Sequence, residues 1–244
     1  MISQSVSGKN WISKKFNSDD INFFKSNFFL DEIVAKLLSI RKIKKEEIKF
    51  FLNPSIKNIL PNPFILKDMD RAIERTISVV LKKEKVGIFG DYDVDGATST
   101  AILGQYFKSL NIDYEIYIPD RKSEGFGPNR KAFLEFINLG VNLIFTVDCG
   151  TLSFEPIDFA KEKKIDVIIL DHHQSEIKLP NAHSIVNPNR FDDRSELNYL
   201  CAAGVCFLFL ANSIASNDKV PQSTVKINFT SSSINFLKAF IEGP

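Results

Sequence analysis

The sequence is poor in cysteine and has no long apolar run. Its three cysteines, Cys149, Cys201 and Cys206, form no C-x-x-C pair and no even-numbered framework, which argues against a disulfide scaffold or a thiolate zinc site. No apolar segment has the length of a membrane span, and the first residues lack the apolar core of a signal peptide. We therefore expect a protein of the reducing cytoplasm that has no membrane partner.

The sequence also lacks an excess of charge of one sign. Its 31 Lys and Arg residues nearly balance 30 Asp and Glu residues, so the formal net charge is +1. This balance gives no general attraction to nucleic acid, and any phosphate contact must be local. With 244 residues, 44% of them hydrophobic, the chain is long enough for one medium domain and a smaller appendage.

The hydrophobic pattern changes near residue 85. Residues 1–75 contain helical pieces and a proline-rich connector, and are predicted to form a helical N-terminal extension. In residues 76–215, short β-rich runs alternate with helical segments, which predicts an α/β fold with a largely parallel β-sheet flanked by helices. Residues 216–244 are predicted to be an atypical tail. In parallel sheets of this kind, ligands bind outside the carboxyl ends of the strands.

The segment FGDYDVDG, residues 89–96, places Asp91, Asp93 and Asp95 at alternate positions. Carboxylates so close together repel one another unless a cation lies among them, either in a calcium loop or in a catalytic metal site. A calcium loop that begins at Asp91 needs Glu at its twelfth position, where this chain has Ile102. It also needs a preceding helix, whereas KVGIF predicts a strand. The pattern therefore favours a metal site at a strand end.

Two other predicted strands also end in side chains that bind metals. NLIFTVDCG ends at Asp148, and DVIILDHH ends at Asp171, His172 and His173. Carboxylates with neutral imidazoles suit Mn²⁺ or Mg²⁺, and a pair of such ions can catalyse phosphoryl transfer. A single aspartate at a strand end is more often a helix N-cap, and Asp-His-His alone can be a polar loop. Because three strand ends carry such groups together, we predict a metal site.

These motifs also carry a family resemblance. FGDYDVDGATSTAIL, VDCGT and LDHH resemble, in this order and with similar spacing, the motifs of the DHH phosphoesterase superfamily. The segments LPNPFILKDMDRAIER, IPDRKSEGFGPN, VNPNR and LCAAGVCFLFL are similar to the bacterial 5′→3′ single-stranded-DNA exonucleases of that superfamily. The resemblance implies a monomeric, metal-dependent nuclease of DNA repair and recombination. It further implies two Mn²⁺ or Mg²⁺ ions, single-stranded DNA as substrate and repair proteins as candidate partners.

The resemblance also implies roles for individual residues. The aspartates of residues 91–95 match the first acidic motif, which supplies metal ligands, and Asp148 matches the aspartate that bridges the two metals. His172 resembles the metal-binding histidine of the DHH motif, and His173 would face the scissile phosphate. Asp171 is predicted either to bind a metal or to orient a histidine. The predicted catalytic residues are Asp93, Asp148, His172 and His173.

The loop DRKSEGFGPNR is predicted from the same resemblance to bind nucleic acid. Arg121 and Lys122 would contact phosphates, and Phe126 would stack on a base. The alternative for this loop is a glycine-rich connection from a strand to a helix.

The chain departs from the superfamily pattern in two places. Phe89 lies where many members have histidine, and residues 211–244 contain no match to a fourth motif that carries another metal-binding aspartate. The second, DHH-associated domain and the OB domain are not matched either. We therefore expect an N-terminal portion of such a nuclease with low activity. Two alternatives remain: a non-catalytic DHH module that binds nucleic acid or a replication-repair partner, and a phosphoesterase acting on short oligonucleotides.

Overall fold

The computed structural model describes the backbone of residues 2–54 and 60–215, so the predicted tail, 216–244, lies outside the described residues. Contacts divide the chain into two compact units, with the boundary between Pro61 and Asn62. In the described ranges, no helix is long and apolar enough to cross a membrane.

The first unit is a short hairpin followed by helices. The antiparallel hairpin consists of β1 (Ile2–Gln4) and β2 (Asn10–Ile12). The helices are α1 (Ser18–Phe28), α2 (Glu32–Ile40) and α3 (Ile48–Leu52). Their buried side chains form a small core of Ile21, Phe24, Ala35, Leu38 and Ile48. The sequence does not predict the hairpin, because strands of three residues are too short for an apolar alternation and β2 is exposed.

The second unit is an α/β layer structure. After a 3₁₀ turn (Pro63–Ile65) its helices are α4 (Met69–Lys82), α5 (Val94–Ser109), α6 (Arg130–Asn138), α7 (Phe154–Glu162) and α8 (Ala202–Ala215). Its strands are β3 (Lys85–Gly90), β4 (Tyr114–Tyr117), β5 (Val141–Val147), β6 (Asp166–Leu170) and β7 (Ser184–Val186). All strand pairs are parallel, in the order β4-β3-β5-β6-β7. This arrangement confirms the predicted fold class.

The sheet has a hydrophobic core on each face. Successive strand residues point to opposite faces, so the neighbours Ile144 and Phe145 of β5 belong to different cores. One core contains side chains of α4, α5 and α8, and the other contains side chains of α6 and α7. Burial on both faces explains why the strands are continuous apolar runs. The sequence analysis predicts a domain boundary after residue 75, which falls inside α4. Met69 and Ile73, at the start of that helix, pack in the sheet core, so the whole of α4 belongs to the second unit.

Candidate metal centre

Four neighbouring strands of the sheet end in the same row. The register pairs Gly90 of β3 with Val147 of β5, Val147 with Leu170 of β6, and Leu170 with Val186 of β7. The next residues along the chain are therefore adjacent at one edge of the sheet: Asp91, Asp148, Asp171 and Asn187. Backbone hydrogen bonds continue into this row, since the N–H groups of its three aspartates each donate to the last carbonyl of the neighbouring strand.

The first acidic motif turns directly from β3 into α5. Asp93 is the N-cap of α5, and its Oδ1 accepts a hydrogen bond from the Gly96 N–H at 3.0 Å. This bond lowers the pKa of Asp93, so the carboxylate is anionic at neutral pH. The turn is so tight that a Cβ on Gly96 would lie 2.5 Å from the Asp91 carbonyl oxygen. The N-cap role and the predicted metal-ligand role are therefore compatible in Asp93.

Two buried carboxylates at this edge have an oxygen without a hydrogen-bond partner among the described residues. Asp148 is 1% exposed and Asp91 is 4% exposed, and in each the Oδ1 atom accepts no hydrogen bond from a described residue. Imidazole nitrogens of His172 and His173 nevertheless lie 3.3 and 3.7 Å from Asp148 Oδ1. Burial raises the pKa of both groups, and for Asp148 the charges of Asp95 and Asp93 contribute to a value of about 8. Buried acidic oxygens of this kind fit a divalent cation, which would offset both the burial and the repulsion.

The DHH histidines lie on the same side of the site. His172 Nε2 is 3.3 Å from Asp148 Oδ1 and 3.5 Å from Asp95 Oδ2. Two groups of ligand atoms lie within 4.8 Å: one from Asp148, His172 and His173, and one from Asp91, Asp93 and Asp148. Asp148 belongs to both groups, so its carboxylate lies within reach of the imidazoles on one side and of the other carboxylates on the other side.

Asp171 has a different environment from the other predicted ligands. It is fully buried, and its Oδ1 accepts hydrogen bonds from His173 Nδ1 at 2.9 Å and from the Gly150 N–H at 3.2 Å. Its Oδ2 accepts a hydrogen bond from Asn187 Nδ2 at 3.0 Å. The bond to Asp171 raises the pKa of His173 to about 9. Among the described residues, Asp171 joins neither group of ligand atoms, and its contacts orient His173.

Sequence reasoning missed Asn187 and Asn189, which support the histidines from the end of β7. Asn187 is fully buried, and its Nδ2 also donates to the His173 carbonyl at 2.9 Å. Its Oδ1 accepts from the Asn189 N–H at 2.8 Å, and Asn189 Nδ2 donates to the His172 carbonyl. The signal for Asn187 was present, because it is a polar residue directly after an apolar strand, as the three aspartates are.

Asp95 connects the site to α8. Its Oδ2 accepts a hydrogen bond from the Ala202 N–H at 2.8 Å, and its Oδ1 accepts one from the Ala203 N–H at 2.9 Å. A carboxylate at a helix N-terminus is stabilised by the unpaired N–H groups and the helix dipole. Asp95 is thereby fixed beside His172, and the CAAGV segment contributes to the site through its backbone.

The predicted nucleic-acid residues lie in the loop after β4. Phe126 is 57% exposed, and its ring lies 6.4 Å from that of His173 in an edge-to-face arrangement. The guanidinium of Arg121 lies 5.2 Å from the ring centre of Tyr92, inside the first acidic motif. Lys122 is exposed, and its backbone N–H donates to Asp120. The structure thus brings Phe126 and Arg121 to the edge of the metal centre.

Two residues close to the site offer no ligand or nucleophile. Phe89 is fully buried and its ring is stacked on that of Tyr117, at 5.6 Å between centroids and 12° between planes. Its contribution to this strand end is therefore packing. Cys149 is buried, and burial raises the pKa of its thiol well above the usual value.

Comparisons with known proteins show which sequences and folds this chain resembles. Residues 85–230 match the family described as DHH family, N-terminal domain. The chain is 34% identical over 198 residues to the single-stranded-DNA-specific exonuclease RecJ of Bacillus subtilis (strain 168), covering 81% of this chain and 25% of that relative. It is also 34% identical over 184 residues to RecJ of Escherichia coli (strain K12), covering 74% of this chain and 31% of that relative.

Solved RecJ structures share the fold. A structure of exonuclease RecJ bound to manganese superposes with a TM-score of 0.56 at 29% identity, covering 64% of this chain and 39% of that one. RecJ from Thermus thermophilus in complex with Mn²⁺ gives a TM-score of 0.63 at 23% identity, covering 84% of this chain and 28% of that one. The chain spans 25–31% of the length of the two curated relatives named above.

Proposed function

Because the chain belongs to the DHH family, we propose that it is a metal-dependent phosphodiesterase that removes nucleotides from the 5′ end of single-stranded DNA in repair and recombination. The observation that supports this proposal is the meeting of acidic and imidazole side chains at one sheet edge, where buried oxygens of Asp91 and Asp148 accept no hydrogen bond from the described residues. The substrate is proposed from the RecJ relatives, which are named as single-stranded-DNA-specific exonucleases.

The proposed cofactors are Mn²⁺ or Mg²⁺. The ligand atoms are carboxylate oxygens and imidazole nitrogens, which suit these ions, and a RecJ structure 29% identical to this chain is bound to manganese. Asp91, Asp93, Asp148 and His172 would bind the ions. Asp95 and Asp171, which the sequence also predicts as ligands, belong to neither group of ligand atoms found among the described residues, and their oxygens accept hydrogen bonds instead. When bound, two such ions provide an activated water and neutralise charge on the phosphate.

The protein's own residues then orient the substrate. His173, fixed through Nδ1 by Asp171, directs its imidazolium toward the scissile phosphate and stabilises the negative charge that develops there. Phe126 stacks on a base beside His173, and Arg121 binds a phosphate of the same strand. Asp171 and Asn187 act by positioning, since their polar atoms are bonded to the loop that carries the histidines.

The direction of hydrolysis tests this proposal. Single strands labelled at the 5′ or the 3′ end are incubated with the chain and Mn²⁺, and we expect the 5′ label to be released first as a mononucleotide. Asp93→Ala should abolish release, whereas Asp158→Ala, an exposed aspartate of α7, should not change it. Preferential loss from the 3′ end contradicts the proposed polarity. Binding of the strand without cleavage supports the alternative of a non-catalytic DHH module.

We propose that a polypeptide of these 244 residues acts as a monomer with low activity, because residues 211–244 have no match to the fourth, metal-binding motif. Repair proteins are the proposed partners of the nuclease.

A further inference from the structure

One carboxylate, that of Glu124, accepts hydrogen bonds from both ends of the loop between β4 and α6, residues 118–129. Glu124 Oε2 accepts hydrogen bonds from the Tyr117 hydroxyl and from Asn129 Nδ2, the latter at 3.4 Å. Its Oε1 accepts from the Asp120 N–H at 3.3 Å, and its own N–H donates to the Asp120 carbonyl at 2.8 Å. A single side chain therefore joins the end of a strand to both ends of the loop.

The groups that Glu124 contacts are themselves fixed. The Tyr117 ring is stacked on Phe89 and meets Phe136 edge-on, at 6.2 Å between centroids. Asn129 is the N-cap of α6, and its Oδ1 accepts from the Ala132 N–H at 2.9 Å. Glu124 thus anchors the loop to the sheet at one end and to a helix at the other.

The residues predicted to bind nucleic acid lie in the loop between the two ends that Glu124 contacts. Gly125 and Gly127, with φ of 79° and 80°, flank Phe126, so the backbone around this ring has the conformational freedom of glycine. The carboxylate of Glu124 is occupied by the loop's own donors and is not one of the ligand groups of the metal centre. Without an anchor, this segment would have to be ordered each time a strand binds, which weakens binding.

We propose that Glu124 is a positioning residue that fixes the 118–129 loop, and so places Phe126 and Arg121 for binding single-stranded DNA. The inference rests on the proposed function for its substrate. It assigns Glu124 an effect on affinity rather than on chemistry, because the hydrogen bonds of the carboxylate go to the loop and to the strand end.

Three variants of the full chain test the role of Glu124. Glu124→Ala removes all three acceptor contacts, Tyr117→Phe removes one donor, and Glu124→Gln keeps an acceptor for Asp120 and an amide that can pair with the Tyr117 hydroxyl. The matched control is Glu155→Ala, which removes an exposed glutamate paired with Arg130 at 2.8 Å.

Two measurements are made on each variant. Limited trypsin digestion followed by mass spectrometry gives the rate of cleavage after Arg121 and Lys122, because an unanchored exposed loop is a preferred site of proteolysis. Binding of a fluorescent oligothymidylate by anisotropy, together with KM and kcat for its hydrolysis with Mn²⁺, gives the effect on substrate.

For Glu124→Ala we expect cleavage in the loop about tenfold faster and a Kd and KM about tenfold higher, as the loss of a few loop hydrogen bonds implies, with kcat changed less than about twofold. For Tyr117→Phe, the cleavage rate, Kd and KM should lie between those of the parent chain and of Glu124→Ala. Glu124→Gln should retain most of the parent's protection against trypsin, and Glu155→Ala should match the parent chain in all measurements. Unchanged digestion of Glu124→Ala, or faster digestion with unchanged DNA affinity, overturns the proposal. If the parent chain neither binds nor cleaves the oligonucleotide, the proposed function is wrong. The trypsin digestion then still decides whether Glu124 fixes the loop.

Discussion

Asp148 shows how a single residue links the fold to the chemistry. It follows the central strand β5, adopts a left-handed backbone conformation with φ of 60°, and is 1% exposed. Its carboxylate is buried beside two other acidic groups, and burial together with the charges of Asp95 and Asp93 raises its pKa to about 8. This crowding is unfavourable by itself, so a bound cation should stabilise the folded state by mass action.

We therefore expect Mn²⁺ to raise the melting temperature of the chain and Asp148→Asn to abolish that gain. Without added metal, the same substitution should stabilise the protein at neutral pH by on the order of 1 kcal/mol. The folded state must otherwise bind a proton at Asp148, whose pKa is raised to about 8, whereas an asparagine side chain is neutral without one. Thermal unfolding with and without Mn²⁺ measures both effects. A parent melting curve that does not move over a full Mn²⁺ titration would argue against the metal centre.

Asn187 gives a second prediction at the residue scale. Asn187→Ala leaves a buried oxygen of Asp171 and the His173 carbonyl without a donor, which should lower the free energy of unfolding by about 1–3 kcal/mol. It should also lower kcat by about 10–100-fold, since His173 loses its fixed orientation. Denaturant unfolding and kinetics measure these effects, and Asn138→Ala, at an exposed position of α6, is the control. A variant with full kcat would show that Asn187 does not position the histidine.

Two glycines, Gly90 and Gly96, allow α5 to pack closely against the end of β3. A Cβ on Gly90 would lie 1.9 Å from Thr100 Oγ1, and a Cβ on Gly96 would lie 2.5 Å from the Asp91 carbonyl oxygen. The helix therefore begins within contact of the strand end, and the first acidic motif can place its carboxylates in one row with Asp148 only with glycine at these positions.

Gly96→Ala should separate α5 from this strand end. We expect a loss of about 1–3 kcal/mol in the free energy of unfolding, as for overpacking, together with the loss of Mn²⁺-induced stabilisation. Gly104→Ala in the same helix, where the added Cβ would lie 3.3 Å from the Tyr114 ring, should change stability by less than about 1 kcal/mol and keep the Mn²⁺ response. Equal Mn²⁺ responses in the two variants would contradict this role of Gly96.

The sequence predicts the strands of the second unit well, but it does not predict the hydrogen bonds that support the candidate site. The strands of the second unit follow the predicted segments to within two residues, as with KVGIFG for Lys85–Gly90 and DVIILD for Asp166–Leu170, because continuous apolar runs between helical segments are a strong pattern. The convergence of Asp91 and Asp148 followed from the parallel sheet. The contacts of Asn187 could not be predicted, since a hydrogen bond between sequence-distant side chains depends on strand order and register.

At the scale of the whole second unit, β7 and the loop after it are fixed by long-range polar contacts. Asp68, just before α4, accepts from the Ile185 N–H at 3.2 Å and from Arg190 Nη1 at 2.8 Å. The buried Arg190 also binds Asp192, at 2.9 Å from Nε. These contacts stabilise the strand whose end carries Asn187. The candidate metal centre is thus supported from Asp68, which directly precedes α4 and lies in the segment that the sequence pattern assigned to the N-terminal extension.

The last prediction concerns the activity of the 244 residues as a polypeptide. The described residues bring carboxylates and imidazoles of three motifs together at the sheet edge, and the sequence of residues 211–244 shows no match to the fourth motif. A site with one carboxylate fewer holds two ions less accurately, and poor positioning of the substrate alone costs about 10²-fold. We expect hydrolysis slower than that of a full-length RecJ by on the order of 10³-fold, with DNA affinity that falls as salt rises. Parallel assays of both proteins on labelled single strands with Mn²⁺ measure the ratio. The prediction is wrong if the 244-residue polypeptide hydrolyses the strands as fast as the full-length protein and Asp93→Ala abolishes this activity. The side chains at the sheet edge would then be sufficient for full activity.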